Sequence, residues 1–343
     1  MIKVQNIYYM LSYAYQVLQE KGYKEIGEED FSNALELLSE ILIKGVKNQI
    51  KTGLLRDYIH KEEPTSVVKG KINITETVRN NLLAKHKVDC SFEDFSLNTR
   101  FNQILKTTLF YLLHSNICLE KKKEIRLLIV YFPGVDILSP NSIDWNVRFD
   151  RTNQTYRMLM AICNMILDGM VISPNSGNRR MKNFVDEQRM YHLYEKFILE
   201  FYRKHYPSLN ANPSEVKWAL DDENDYLLPR MITDISLTKG NKVLIIDAKF
   251  YDSNLQTRYD KASVISGNLY QIFTYVKNKS EEGKEVSGML LYAKTEDGNV
   301  PNVDYQMSVN KISIRSLDLS GDFSLIDQKL REIAEQFLLS AGN

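Results

Sequence analysis

The sequence predicts a two-domain protein of mixed α+β and α/β class. A mostly helical first domain with a short β insertion is expected over residues 1–174, and an α/β second domain with a mixed sheet over residues 175–343. Three observations predict it. Apolar residues recur at three- and four-residue spacings through most of the first half, the mark of amphipathic helices. The second half runs helix, strands, helix, strand, helix, an order that builds a mixed sheet covered by helices. Between them, Ser173-Pro174-Asn175-Ser176-Gly177-Asn178-Arg179-Arg180 gathers the residues that punctuate loops.

Each element follows from its spacing. Ile7, Met10, Leu11, Ala14, Tyr15 and Leu18 form a helical stripe over Ile7 to Leu18. Asp30 to Ile50 repeats it with Phe31, Leu35, Leu38, Leu42 and Val46, and Asp30 is available as a cap. Both stripes are core helices on this pattern. Val67 to Ile74 changes to short β segments around Gly70, and Leu97 to Ile117 returns to helix with Phe101, Ile104, Leu105, Leu109 and Leu112 as its buried side. A further helix is expected over Tyr156 to Met170. In the second half, Val185 to His205 is a helix, Val216 to Leu220 a strand, and Met231 to Leu237 with Val243 to Phe250 a hairpin around Lys239-Gly240-Asn241-Lys242. Asn268 to Asn278 is a helix, Gly288 to Ala293 and Lys311 to Ser316 are strands, and Ser324 to Leu339 is a terminal helix.

Composition excludes several classes of chemistry. The chain of 343 residues carries 44 basic and 44 acidic side chains, so no global positive field drives nucleic-acid binding, and any DNA contact must come from a local patch or a partner. Cys90, Cys118 and Cys163 show neither disulfide nor zinc spacing, and are expected to be buried small hydrophobes in a reducing compartment. The histidines, His60, His86, His114, His192 and His205, are dispersed without ligand spacing. No serine elbow, dinucleotide fingerprint or Walker A loop is present, so any NTP dependence belongs to another subunit. No apolar signal core opens the chain, and no window approaches the ~18 apolar residues of a membrane span, so a soluble, cytoplasmic protein with no membrane partner is expected. Lys121-Lys122-Lys123, Lys69 with Lys71, and Arg179-Arg180 with Lys182 are charge runs, which usually form solvated faces.

The hairpin carries the candidate site. If Gly240-Asn241 is a two-residue turn, Lys239 faces Lys242, and counting outward sets Asp234 opposite Asp247. Directly opposed residues share a face with Cβ atoms about 4.5–5.5 Å apart, and strand alternation turns Lys249 to that same face. Val243-Leu244-Ile245-Ile246 reads as a central strand covered on both sides, where an unpaired carboxylate is costly. Two crowded carboxylates repel, and a hard divalent cation, Mg²⁺ best of all, removes the repulsion. Such a metal polarises a phosphodiester oxygen and activates a water, with Lys249 orienting that water or offsetting charge, which is the chemistry of a metal-dependent nuclease. The same acid-x-lysine spacing occurs at Glu120/Lys122, Glu215/Lys217, Glu282/Lys284 and Asp327/Lys329, all in charged or helix-like sequence. Only Asp247/Lys249 ends an apolar strand with a second carboxylate across a turn; a structural ion-pair cluster is the competing reading. Glu195 in the Val185 to His205 helix either reaches the metal or Lys249, or is an ordinary helix-edge carboxylate. Gln271, in an otherwise apolar helix about one turn before Tyr275, should be hydrogen-bonded, to the lysine or to a DNA phosphate.

Several segments, long and unusual in composition, resemble the McrC family, the nuclease component of modified-cytosine restriction systems, over essentially the whole chain. They are Asn6-Ile7-Tyr8-Tyr9-Met10-Leu11, Lys69-Gly70-Lys71-Ile72 with Thr77 and Arg79, Leu227-Leu228-Pro229-Arg230-Met231 with Thr233-Asp234-Ile235, Ile246-Asp247-Ala248-Lys249, and Asn268-Leu269-Tyr270-Gln271. The resemblance implies the PD-(D/E)xK restriction-endonuclease-like fold in the second domain, with Asp234, Asp247 and Lys249 at the family's catalytic positions. Thr233 stands where a proline is usual. It further implies a partner, a McrB-like hexameric AAA+ GTPase that binds the GTP and reads double-stranded methylated DNA. The region from Met1 to about Val171 would enter that ring and stimulate GTP hydrolysis, with Lys69 to Ile74 as a candidate contact.

The expected function is therefore a Mg²⁺-dependent endonuclease subunit of a GTP-dependent, 5-methylcytosine-directed restriction complex for phage defence. A non-catalytic activator or scaffold of the ring, whose nuclease-like domain holds DNA without cutting it, is the alternative; the intact set of Asp234, Asp247 and Lys249 weighs against it. A free-standing repair nuclease is a third reading, opposed by the resemblance of the first half.

Overall fold

The computed structural model describes residues 2–15, 18, 23, 25–26, 29, 31–171, 187–221, 224–250, 255–258, 261–280, 282–294 and 302–341. The chain divides into two compact units, Leu35–Phe184 and a second made of Met1–Ala34 together with Val185–Asn343. The expected boundary at 174/175, and the basic run Arg179-Arg180 with Lys182, lie outside the described residues.

Helix α1 (Val4–Ala14) opens the chain. The Leu35–Phe184 unit comprises α2 (Ala34–Thr52), β1 (Asp57–Thr65), β2 (Lys71–Ile72), α3 (Ile74–Arg79), β3 (Val88–Ser96), α4 (Arg100–Leu113), α5 (Leu119–Ile129) and α6 (Tyr156–Val171). Its helical stripes are buried where spacing places them, at Leu35, Leu38, Leu42 and Val46 in α2 and at Phe101, Ile104, Leu105, Leu109 and Leu112 in α4. Thr99 caps α4 by accepting from the Asn102 backbone N–H. The β insertion is larger than expected, a three-stranded antiparallel sheet in the order β1-β3-β2. Of its long strands, DYIHKEEPT is charged through its middle, and VDCSFEDFS alternates apolar residues only over Val88, Cys90 and Phe92 before Glu93 and Asp94 break the pattern. Gly70 does turn the chain into it, with φ +62° and room for no side chain: a Cβ there would meet Ser91 O at 2.5 Å and Phe92 Cβ at 2.8 Å. Helix α5 hides in the same way, and its Lys121 is not a solvated charge but pairs with the partly buried Glu36 at 2.9 Å. Cys90 and Cys163 are buried as expected, whereas Cys118, next to α5, is exposed.

The second unit continues with α7 (Glu187–His205), β4 (Glu215–Val216), β5 (Met231–Ile232), β6 (Ile235–Lys239), β7 (Lys242–Phe250), β8 (Leu255–Arg258), β9 (Lys261–Val264), α8 (Ser266–Ser280), β10 (Glu285–Lys294), β11 (Val303–Met307), β12 (Asn310–Asp318) and α9 (Phe323–Ala341). Five strands form a mixed sheet in the order β11-β12-β10-β7-β6. Strands β7, β10 and β12 are mutually parallel, and β6 and β11 close the edges antiparallel. Helix α8 packs on one face, where Ile272, Tyr275 and Val276 join Val243, Ile245, Leu290, Tyr292, Ile312 and Ile314 in one apolar cluster. Gly288 on β10 lets the helix come this close. Alternation turns Phe250 to the opposite face, and there Tyr194 of α7 packs edge-on against it with ring centroids 6.2 Å apart.

The first residues do not fold with the helical domain in which the sequence places them. Helix α1 belongs to the sheet-bearing unit, where buried Asn6 donates to Leu319 O at 2.9 Å and to Gly321 O at 2.8 Å. Tyr9 stacks on Phe323 at 4.4 Å, and the Tyr13 hydroxyl meets His205 Nε2 at 2.8 Å. Spacing shows that a segment is helical, whereas these partners are up to 315 residues away. No helix among the described residues is long and apolar enough to cross a membrane.

Candidate active site

The hairpin register is the expected one. Lys239 pairs with Lys242 and Ile235 with Ile246, and Gly240 takes φ +57° in the turn. The strand expected over Met231 to Leu237 is nevertheless interrupted. Thr233, fully buried, exchanges backbone and hydroxyl bonds with Ser214 (Thr233 N–H to Ser214 O at 3.0 Å, Ser214 N–H to Thr233 Oγ1 at 2.9 Å), which draws Met231–Ile232 into pairing with β4. Asp234 therefore sits one step beyond the β6–β7 ladder, opposite Asp247 in the continued count. There its Oδ2 accepts from the Ala248 backbone N–H at 2.9 Å.

Strand β7 is an interior strand buried along nearly its whole length, and the two charged residues of the site lie near its C-terminal end. Asp247 and Lys249 are 1% and 5% exposed, and Lys249 Nζ lies 2.9 Å from Asp247 Oδ2. The ammonium donates to Gln271 Oε1 at 3.1 Å, and Gln271 Nε2 donates in turn to the Tyr275 hydroxyl at 3.1 Å. Gln271 thus does what its placement in an apolar helix requires: it fixes the lysine.

The electrostatics are those of crowded acids. Burial, then the charge of Asp234, pushes the Asp247 carboxyl well above the ordinary range, with Lys249 opposing. Burial also raises Asp234, against the pull of Lys249 and the Ala248 N–H. Glu195 on α7 is pushed up to about 7 by burial and then by Asp234, with Lys249 opposing, so it lies in the field of the site. Its carboxylate faces His192 Nδ1 at 3.7 Å. Tyr191, one turn before Glu195, donates to Asp234 Oδ2 at 3.3 Å. The sequence reading passed over Tyr191; its i, i+4 relation to Glu195 was the available signal.

These donors fit a hard divalent cation. Both Asp247 oxygens are buried and accept no well-aligned hydrogen bond, the ion pair with Lys249 notwithstanding. A carboxylate kept for structure alone would have its lone pairs satisfied. Among the described residues no group of three or more His, Cys, Asp or Glu side chains could hold a metal. Mg²⁺ asks for less, since it keeps several waters and takes one or two carboxylates plus substrate phosphate oxygens.

Comparison with known proteins agrees with the family expected from the motifs. Residues 3–293 match the family model described as McrBC 5-methylcytosine restriction system component. The chain belongs to the McrBC family. It is 31% identical over 351 residues to the Escherichia coli (strain K12) type IV methyl-directed restriction enzyme EcoKMcrBC, with 98% of each chain covered. Its fold is similar to a chain of the refined half-complex from the tetradecameric assembly of Thermococcus gammatolerans McrB AAA+ hexamers with bound McrC. That match has a TM-score of 0.50 at 16% identity and covers 97% of this chain and 75% of the other. At that identity the likeness is one of fold.

Proposed function

We propose that this chain is the endonuclease subunit of a restriction complex, hydrolysing phosphodiester bonds of methylated double-stranded DNA with Mg²⁺ when assembled with a McrB-like AAA+ GTPase. The carrying observation is the paired carboxylates of half-buried Asp234 and buried Asp247, with Lys249 2.9 Å from Asp247 and neither Asp247 oxygen in a well-aligned hydrogen bond. In the PD-(D/E)xK arrangement this implies, Asp234 and Asp247 would hold the cation. Bound there, Mg²⁺ would supply a water of lowered pKa and polarise a phosphodiester oxygen. Lys249, held by Gln271, presents its ammonium to the attacking water and to the charge that develops on the phosphate. Gln271 and Tyr275 keep that lysine in one orientation. Glu195, pushed up to about 7 by burial and by Asp234, adds a carboxyl in the field of the Asp234–Lys249 group.

Substrate and partner come from the family. The E. coli relative is a methyl-directed restriction enzyme, and the Thermococcus assembly is one of AAA+ hexamers with bound McrC. We assign GTP hydrolysis and DNA reading to such a ring, which this chain stimulates, because the chain has no Walker A loop of its own. The exposed β insertion of the Leu35–Phe184 unit, with Tyr58 67% and Phe95 52% exposed, is the candidate ring contact. Such a complex works in the cytoplasm, where incoming DNA arrives.

The test is cleavage of methylated and unmethylated plasmid by the chain with its McrB-like GTPase, GTP and Mg²⁺, wild type against Asp247→Ala. The variant is expected to lose cutting by more than the roughly 10–100-fold that an outer-shell change costs, while stimulating GTP hydrolysis as wild type does. Equal cutting by both would remove Asp247 from catalysis. A wild type that stimulates the GTPase and never cuts would establish the scaffold reading instead.

A further inference from the structure

Helix α7 brings to the site a side chain with two simultaneous contacts. The half-buried Tyr191 donates its hydroxyl to Asp234 Oδ2 at 3.3 Å, the same oxygen that accepts from the Ala248 backbone N–H at 2.9 Å. Its ring centroid lies 5.6 Å from Lys249 Nζ, within cation–π range. Two donors on one oxygen fix the rotation of a carboxylate about its terminal bond, and neither occupies Oδ1. A carboxylate held in this way meets a cation without first giving up rotational freedom, which is what outer-shell donors do for metal ligands. The ring, meanwhile, is a further neighbour of the lysine besides Asp247 and Gln271. Burial first, and then the charges of Asp234, Asp247 and Glu195, hold the phenol far above its usual range, so the hydroxyl remains a donor.

We infer that Tyr191 is a positioning residue of the site, orienting the Asp234 carboxylate toward a divalent cation with its hydroxyl and steadying the Lys249 ammonium with its ring. The inference rests on the nuclease reading above. It extends that reading from the hairpin and α8 to α7, so that the helix supplies an orienting donor as well as the Glu195 charge.

The experiment is Mn²⁺ binding to the full-length chain by calorimetry, with the melting temperature of the metal-free protein measured in parallel, for wild type, Tyr191→Phe and Asp234→Asn. Tyr191→Phe keeps the ring and removes only the hydroxyl. It is expected to raise the Mn²⁺ dissociation constant by about tenfold, at the lower end of outer-shell effects, with the metal-free melting temperature unchanged. Asp234→Asn is expected to abolish binding. Binding lost in Asp234→Asn but equal in wild type and Tyr191→Phe would overturn the inference alone. Binding unaffected by Asp234→Asn, or none in wild type, would overturn the metal-site reading and the inference with it.

Discussion

Gly288→Ala tests whether the close approach of α8 to the sheet is what places Gln271. Gly288 sits on β10 with an ordinary φ, so alanine brings no backbone strain. Its Cβ, however, would lie 2.8 Å from both Ile272 Cγ1 and Val276 Cγ2 and 3.3 Å from Ile272 Cδ1. Carbon atoms in good contact stand about 3.5–4.0 Å apart, so the helix and sheet must separate locally by about 0.7 Å or more. Ile272 and Val276 are fully buried and β-branched, with one strongly preferred helical rotamer each, so rotation offers little relief. Overpacking of this kind costs about 1–3 kcal/mol. For a unit of this size each kcal/mol lowers the melting temperature by about 2–4 °C, giving an expected fall of about 2–12 °C. Gln271 precedes Ile272 in the same helix, so withdrawal of α8 also stretches its 3.1 Å bond to Lys249 and reduces cleavage. Thermal melts followed by circular dichroism, paired with plasmid cleavage, measure both effects. Gly267→Ala is the control, because nothing lies within 4 Å of the added Cβ. A Gly288→Ala protein that melts and cuts like wild type would refute the claim that this contact sets the helix position.

Three further outcomes are expected. Asn6→Ala removes one buried and one partly buried bond, the latter to Gly321 O; urea titration should show a loss of about 1–3 kcal/mol in the sheet-bearing unit. Gly70→Ala combines a left-handed φ with a clash against backbone Ser91 O, and should lower stability by at least about 2 kcal/mol, visible as faster hydrogen exchange in β3. His205 has its pKa lowered by burial, then by Arg331 and Lys204, against Asp327. The unfolded chain therefore takes the proton first, so the contribution of His205 is present above about pH 6.5 and is lost as pH falls toward the lower folded pKa. The melting-temperature advantage of wild type over His205→Gln should accordingly shrink as pH falls from 7 to 5, and a constant difference would contradict the shift.

Much of the site was legible in the chain because a tight hairpin is a local object. Once Gly240-Asn241 makes the turn, every opposed pair has positions of constant sum, and Asp234, Asp247 and Lys249 converge without knowledge of anything else. The helical stripes of α2 and α4 were legible for the same reason, since burial recurs with the helix period. The strands β1 and β3 and helix α5 were not, because charged residues cut the apolar period short, in β3 after Val88, Cys90 and Phe92.

Sequence alone determined the two carboxylates and the lysine, and an amide in an apolar helix that needed a partner. Only the tertiary structure decided that the amide belongs to Lys249, that Tyr275 fixes the amide, that Tyr191 reaches Asp234, and that α1 belongs to the sheet-bearing unit. Apart from the Gln271–Tyr275 turn, these contacts join residues 22 to 315 positions apart. Spacing encodes the period of a helix or strand, whereas the meeting of distant elements is set by which buried faces pack together and by small positions such as Gly288 that let them close.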